Sequence, residues 1–287
     1  MKAVNKQSFK QKLMAYKRKP LSLAMYLLVV IATILTVGAL LFLIGYILIM
    51  GIPNIKPEMF SWEYNSENVS FMPAIVNTVI MTALSLLIAA PLGIFSAIYL
   101  VEYAKRGNKF VGVIRTTAET LSGIPSIVYG LFGMLFFVTA LDWGYSLLSG
   151  SLTLAIMILP LIMRTTEEAL KTVPDTYREG SFGLGAGRLR TVFRVVLPSA
   201  IPGILAGVIL AIGRIVGETA ALIYTAGTVA ELPKDLMSSG RTLAVHMYAL
   251  SSEGLHTNEA YATAVILLVT VLLINTLSAF IAKKIAK

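Results

Sequence analysis

The sequence predicts an all-α membrane protein with six transmembrane helices. Composition, the lengths of the apolar runs and the placement of charge carry that expectation. Of 287 residues, 56% are hydrophobic and 14% charged, against about 45–50% and about 25% in soluble domains. Six charge-poor runs, 21–50, 73–101, 120–141, 143–163, 199–222 and 260–282, reach the roughly 20 residues that a bilayer crossing needs. Threaded through six spans, 20 of the 24 basic residues fall on one side, leaving Lys56, Lys234, Arg241 and the intramembrane Arg214.

Residues 1–20 form a basic segment, and 21–50 a first transmembrane anchor. That run is about twice the length of a signal-peptide apolar region and has no small-residue cleavage site after it. Residues 71–283 follow as a five-helix domain. The basic groups around 105–115, 164–194 and 283–287 share the side of the N-terminal segment, so both termini are expected in the cytosol. Glu58, Glu63, Glu67, Asp142, Glu231, Asp235, Glu253 and Glu259 fall on the other side, most of them in the larger loops 52–72 and 223–259. A net charge of +9 raises nucleic acid as a partner, but no aromatic-interleaved basic stripe accompanies it. The charge instead orients the chain in the lipid bilayer. The chain contains no Cys, which excludes disulfides and thiolate sites.

Between the fourth and fifth expected spans lies a polar, glycine-rich, basic insert. Pro174 suits the first turn of a helix, and Asp175 and Glu179 sit where the helix dipole favours carboxylates. Gly183, Gly185 and Gly187 end it, and Arg188, Arg190 and Arg194 precede Pro198. A short surface helix at about 174–187 is predicted, with Tyr177, Phe182 and Leu184 as anchors for a partner. The spacing Glu179, Gly185, nine residues, then Val195-x-Leu197-Pro198 resembles the EAA motif of ABC-importer permeases. Gly180 and Ser181 replace its two alanines and Val195 its isoleucine. The resemblance implies a coupling helix that docks on a separate cytosolic ATPase, carried by Glu179, Gly180, Ser181, Phe182, Gly185, Leu197 and Pro198.

Two further stretches, Leu121-Ser-Gly-Ile-Pro-Ser-Ile-Val-Tyr-Gly-Leu-Phe-Gly133 and Gly213-Arg-Ile-Val-Gly-Glu-Thr-Ala-Ala-Leu222, resemble the phosphate-importer permeases, the second most of all the A-type (PstA) subunit. The resemblance implies a type I ABC-importer permease fold and inward movement of inorganic phosphate by alternating access. It implies a second homologous permease subunit, two ATPase subunits and an extracytoplasmic phosphate-binding protein as partners. No cofactor is expected, and ATP hydrolysis belongs to a partner chain.

Read from the residues alone, Arg214 and Glu218 are four apart and would pair on one helix face. Arg214 lies about 22 Å along its helix from Ser199 at 1.5 Å per residue. A charge at that depth costs at least ~2.5–3.5 kcal/mol and should face a bundle interior or a wet cavity. The pair reads either as part of an anion path, the guanidinium fork matching oxyanion geometry, or as a lock between helices. Ser122, Ser126 and Gly130 form a small-residue face, and Pro125 frees the Leu121 carbonyl. Ser122, Ser126 and Tyr129 would then offer hydroxyls to a passing oxyanion, although packing accounts for the serines as well.

Other signals point nowhere. Gly183-x-Gly185-x-Gly187 runs into Arg188, and no GxxxxGK[ST] occurs. His246 and His256 read as lone surface histidines rather than a metal site, and Glu167 and Glu168 as solvated or subunit-facing. No nucleophile triad or paired carboxylates appear within the spans, so no active site is expected. The alternatives that remain are a permease for another oxyanion such as sulfate or molybdate, an intramembrane phosphotransferase using Arg214, and a scaffold that signals phosphate supply.

Overall fold

The computed structural model describes residues 20–105 and 107–285. The basic segment expected at 1–20 lies, apart from Pro20, outside the described residues. The chain divides into two compact units, Met1–Met50 and Gly51–Lys287. In the first, the described residues belong to one helix, α1 (Pro20–Gly51), whose side chains are almost all exposed or half-buried.

The second unit contains ten α-helices among the described residues. They are α2 (Met72–Ile98), α3 (Lys109–Ser122), α4 (Ser126–Gly133), α5 (Leu147–Lys171), α6 (Asp175–Gly183), α7 (Arg188–Thr191), α8 (Leu197–Val216), α9 (Ala220–Ile223), α10 (Leu243–Glu253) and α11 (Thr257–Ile285). Three π turns, Tyr99–Tyr103, Met134–Ala140 and Val192–Val196, extend α2, extend α4 and join α7 to α8. The described residues contain no strand.

Among the described residues five helices are long and apolar enough to cross a membrane, and α3 with the extended α4, a bent pair, would make six if counted as one span. The expected single span 120–141 is thus corrected to two helices, Lys109–Ser122 and Ser126–Ala140, meeting at 101°. The cause is local. Pro125 has no amide to donate and disfavours helical backbone in Ile124 before it, so the chain turns at Gly123–Pro125. The fifth span is also displaced: its helix begins at Arg188 and ends at Val216, not at 199 and 222. Pro198 is accommodated because the preceding π turn sends the Leu197 amide back to the Val192 carbonyl, so the ladder shifts before it reaches the missing amide.

Helix α5 is the centre of the unit and packs along α2 and α8. Leu154, Ile158 and Ile162 are fully buried against Met81 and Ala89 of α2 and Ala211 and Ile215 of α8. In lipid, apolar contact alone does not drive helices together, so close packing and polar contacts carry more of the association. Ser85 is fully buried, with its hydroxyl 3.0 Å from the Ser151 carbonyl across the α2–α5 pair. A second cluster at one end joins Ile98 and Leu100 to Leu170, Val192 and Val196. A third at the opposite end joins Met59, Phe71 and Ala74 to Leu243 and Ala262. At that opposite end the loop before α10 caps the start of α5. The Leu147 amide donates to the Ser238 carbonyl (3.0 Å) and Leu148 to Leu236 (2.9 Å), satisfying donors that a helix N-terminus leaves orphaned.

Candidate functional site

Helix α6 begins after Pro174 and ends at Gly183, within the predicted 174–187. Its end is a Schellman motif: the Ala186 amide donates to the Ser181 carbonyl (3.1 Å) and the Gly185 amide to Phe182 (2.9 Å). Gly185 holds the left-handed conformation this requires, at φ +83°, which gives the last glycine of the motif its physical reason. Ser181 replaces a motif alanine and does something alanine would not, placing its hydroxyl 2.8 Å from that of Thr191 on α7. Tyr177, Phe182 and Leu184 are exposed, Leu184 at 91%. The Glu179 carboxylate is exposed and Gly180 borders open space. Leu197 packs on the cluster formed by Val192 and Val196, while Pro198 is exposed.

Arg178, which sequence reasoning passed over, holds this helix in place. Its Nη2 lies 2.7 Å from Glu102 Oε1, and Nε donates to the same carboxylate at 3.2 Å. Nη1 donates to the Val173 carbonyl (2.8 Å) and Nη2 to Leu170 (3.0 Å), with Asp175 at 3.2 Å. Both partners are largely buried, at 15% and 7% side-chain exposure. Donating to the Glu102 carboxylate raises the guanidinium pKa further, so the cation is permanent. The available sequence signal was Glu102 itself, a carboxylate one residue past an apolar run and facing a basic loop. Beside the pair lies a cavity of about 880 Å³ lined by Lys105, Arg115, Lys171, Phe182 and Arg188 among others. Glu167 is buried rather than solvated, held by Arg115 at 2.8 Å and Lys171 at 2.6 Å, while exposed Glu168 pairs with Arg164.

Within the spans, the expected Arg214–Glu218 pair does not form among the described ion pairs. Helix α8 ends at Val216 and the backbone turns at Gly217, so four-residue spacing no longer means one helix face. Glu218 is buried, and its Oε1 accepts from the Ala221 amide (3.1 Å) at the start of α9. Arg214, half-buried, borders a cavity of about 550 Å³ with Leu161, Leu210 and Asn275. The hydroxyls divide. Tyr129 donates to the Leu121 carbonyl (2.8 Å) and Ser122 to Glu119 (2.8 Å). Tyr129 therefore bridges the break that Pro125 opens. The hydroxyl of Ser126, a half-buried residue at the first position of α4, has no hydrogen-bond partner among the described residues. Gly130 lets α9 approach: a Cβ there would lie 2.8 Å from the Ala221 Cα. Glu218 and Gly130 thus set α9 against α4.

At the end of the unit away from α6, His246 is fully buried, which corrects its expected surface position. Its ring stands edge-on to Tyr64 at 6.1 Å, and the buried Arg241 lies 4.7 Å over the same Tyr64 ring. Burial, then the Arg241 charge, pushes the His246 pKa from 6.5 down to about 3. A period-based reading could not see this, because α10 is buried on most of its turn.

The profile of the family described as "Binding-protein-dependent transport system inner membrane component" matches residues 89–287. The chain belongs to that family. As an ABC-importer permease of the PstA type, it is 36% identical over 251 residues to the probable ABC transporter permease protein YqgI of Bacillus subtilis, covering 81% of this chain and 85% of YqgI. It is 33% identical to the phosphate transport system permease protein PstA 1 of Mycobacterium tuberculosis, covering 72% and 69%. A crystal structure of a bacterial ABC transporter that imports the acidic polysaccharide alginate aligns with a TM-score of 0.68 at 19% identity, over 96% of this chain and all of that one. The MetNI methionine ABC transporter in inward-facing conformations aligns at 0.59 and 19%, over 76% and 94%. The permease thus has the type I ABC-importer fold.

Proposed function

We propose that this chain is the permease subunit of an ATP-driven importer that moves inorganic phosphate inward by alternating access. The observation that carries the substrate is the likeness, over 72% of the chain, to a permease named for phosphate transport. The partners in this reading are a second homologous permease subunit, two ATPase subunits and an extracytoplasmic phosphate-binding protein. Both termini face the cytosol, with 1–20 as a basic segment, 21–50 as an anchor and 71–283 as the permease domain. Helix α6, with Glu179, Gly180, Ser181, Phe182 and Gly185, docks on the ATPase, and Leu197 and Pro198 carry its motion into α8. The exposure of Phe182 and Leu184 supports that role.

Arg214 is the anion contact. It has no carboxylate partner among the described ion pairs, its cavity falls in the ~300–1,000 Å³ range of small-molecule sites, and its fork suits an oxyanion. Ser126 offers a hydroxyl. Ser122 and Tyr129 shape the break, and Glu218 fixes α9 beside it. Proteoliposomes holding the full complex test the reading. Phosphate uptake should be ATP-dependent and resist competition by sulfate and molybdate, and equal competition by either anion refutes the substrate. Arg214→Gln should abolish uptake per assembled complex, while Arg214→Lys retains part of it. Full uptake in Arg214→Gln removes Arg214 from the path.

A further inference from the structure

We infer that the Arg178–Glu102 pair is the positioning link through which movement of α6 reaches α2 and, along α2, the opposite end of the unit. The inference rests on α6 being the ATPase-docking helix. Among the described residues, every hydrogen bond from α6 to the helix α2 and its π turn comes from Arg178. The guanidinium grips three places at once: the Glu102 carboxylate on that π turn, the Leu170 carbonyl at the end of α5, and the Val173 carbonyl in the turn leading to α6. Leu170 lies in the last turn of α5, where carbonyls lose their full helical pairing, and Val173 just beyond it, so one side chain both adds to the cap of α5 and tethers α6.

The other half of the linkage is α2. With its π turn it runs from Met72 to Tyr103 without a break, a rod of about 48 Å at 1.5 Å per residue. At its far end Thr78 Oγ1 accepts the Leu243 amide (2.9 Å) and Asn77 Nδ2 donates to the Arg241 carbonyl (3.2 Å). Both partners stand at the start of α10. The contacts therefore run unbroken from α6 through Arg178 and Glu102 into α2, and from Asn77 and Thr78 into α10. A bidentate contact has a fixed direction as well as an energy, so tilting α6 displaces Glu102 rather than sliding past it. A lysine ammonium would hold the same charge as a swivelling point.

The test uses the complete transporter in proteoliposomes, with its ATPase subunits and phosphate-binding protein. Arg178→Lys keeps the charge and loses the fork, and Glu102→Gln keeps the shape and loses the charge. Both should copurify with the ATPase at wild-type levels. In both, phosphate imported per ATP hydrolysed, and the stimulation of hydrolysis by the loaded binding protein, should fall roughly tenfold, within the usual span of coupling between sites. Both quantities are read per assembled complex, so a lower yield does not affect them. Wild-type values of both quantities in both variants overturn the inference. Glu179→Lys separates it from the reading beneath. If Glu179→Lys docks and transports normally, α6 is not the docking helix. If Glu179→Lys fails while Arg178→Lys and Glu102→Gln couple normally, docking stands and the link through Glu102 does not.

Discussion

Gly180 within α6 and Gly185 just past its end should respond in opposite directions to the same substitution. Gly180 lies inside the helix with ordinary backbone angles, whereas Gly185 holds φ +83° at its end. A Cβ added at either meets nothing within 4 Å, so packing drops out and only backbone preference differs. Gly180→Ala should stabilise α6 by roughly 0.5–1 kcal/mol, the usual penalty of a mid-helix glycine. Gly185→Ala forces an L-residue into the left-handed region and should cost about 1–2 kcal/mol. The contrast is about 2 kcal/mol, or roughly 30-fold in the opening equilibrium. Hydrogen exchange of the segment 175–187 in the purified permease reads that equilibrium directly. Slower exchange in Gly180→Ala and faster exchange in Gly185→Ala is expected, with Gly185→Asn milder because asparagine tolerates that conformation. Equal or same-signed effects at the two positions would refute the assignment of Gly185 as the helix-ending residue.

Stability should depend on pH through His246. Its folded pKa of about 3 lies below the ordinary 6.5, so the unfolded chain binds the proton first. The stabilisation is complete above pH 6.5 and declines as pH falls towards 3. By pH 5 the loss is about 2 kcal/mol at 1.36 kcal/mol per unit. Burial and the neighbouring Arg241 charge both disfavour the protonated ring. Thermal midpoints at pH 7.5, 6 and 5 should converge with a flatter slope in His246→Gln, and an unchanged slope assigns the effect elsewhere. Orientation is open to labelling, because the chain has no cysteine of its own. A Cys replacing Ser252, which is exposed at the end of α10, should react with an impermeant maleimide in intact cells, and one replacing Ser8 should not. Reversed labelling would overturn the orientation and the docking of α6 with it.

The elements legible in the sequence were those set by one-dimensional signals. Apolar length marked the spans, Pro174 and the glycines bounded α6, and the motif spacing pointed to the family. What stayed hidden depended on contacts between distant segments. Glu102 and Arg178 are 76 residues apart, and no periodicity links them. The Arg214–Glu218 pairing failed because it assumed an unbroken helix, while the Glu218 carboxylate instead bonds the Ala221 amide beyond the break. His246 was misplaced because loop segments at membrane proteins' edges are presumed exposed, whereas this one folds back over α2 through Asn77 and Thr78. Pro125 announced a disturbance but not its size, since a proline kinks some helices and ends others. Gly123 and Ile124, turning back onto the Thr120 and Leu121 carbonyls, decided for ending.

Two of the π turns stand beside the partners of α6: Tyr99–Tyr103 holds Glu102, which meets Arg178, and Val192–Val196 follows Thr191, which meets Ser181. Each holds one residue more than an α-helical turn would. Removing one residue from either would leave a more regular helix and lose little local hydrogen bonding. It would also rotate everything beyond the deletion by about 100° and draw it in by about 1.5 Å. Glu102 would then point away from Arg178, or Thr191 from Ser181. The surplus residue is therefore an indexing device: the helices have a less regular ladder so that the membrane-crossing part and the surface-lying part meet in register. In chains built this way, single-residue deletions in these turns should be far more harmful than substitutions, although the substituted side chains are mostly ordinary apolar ones.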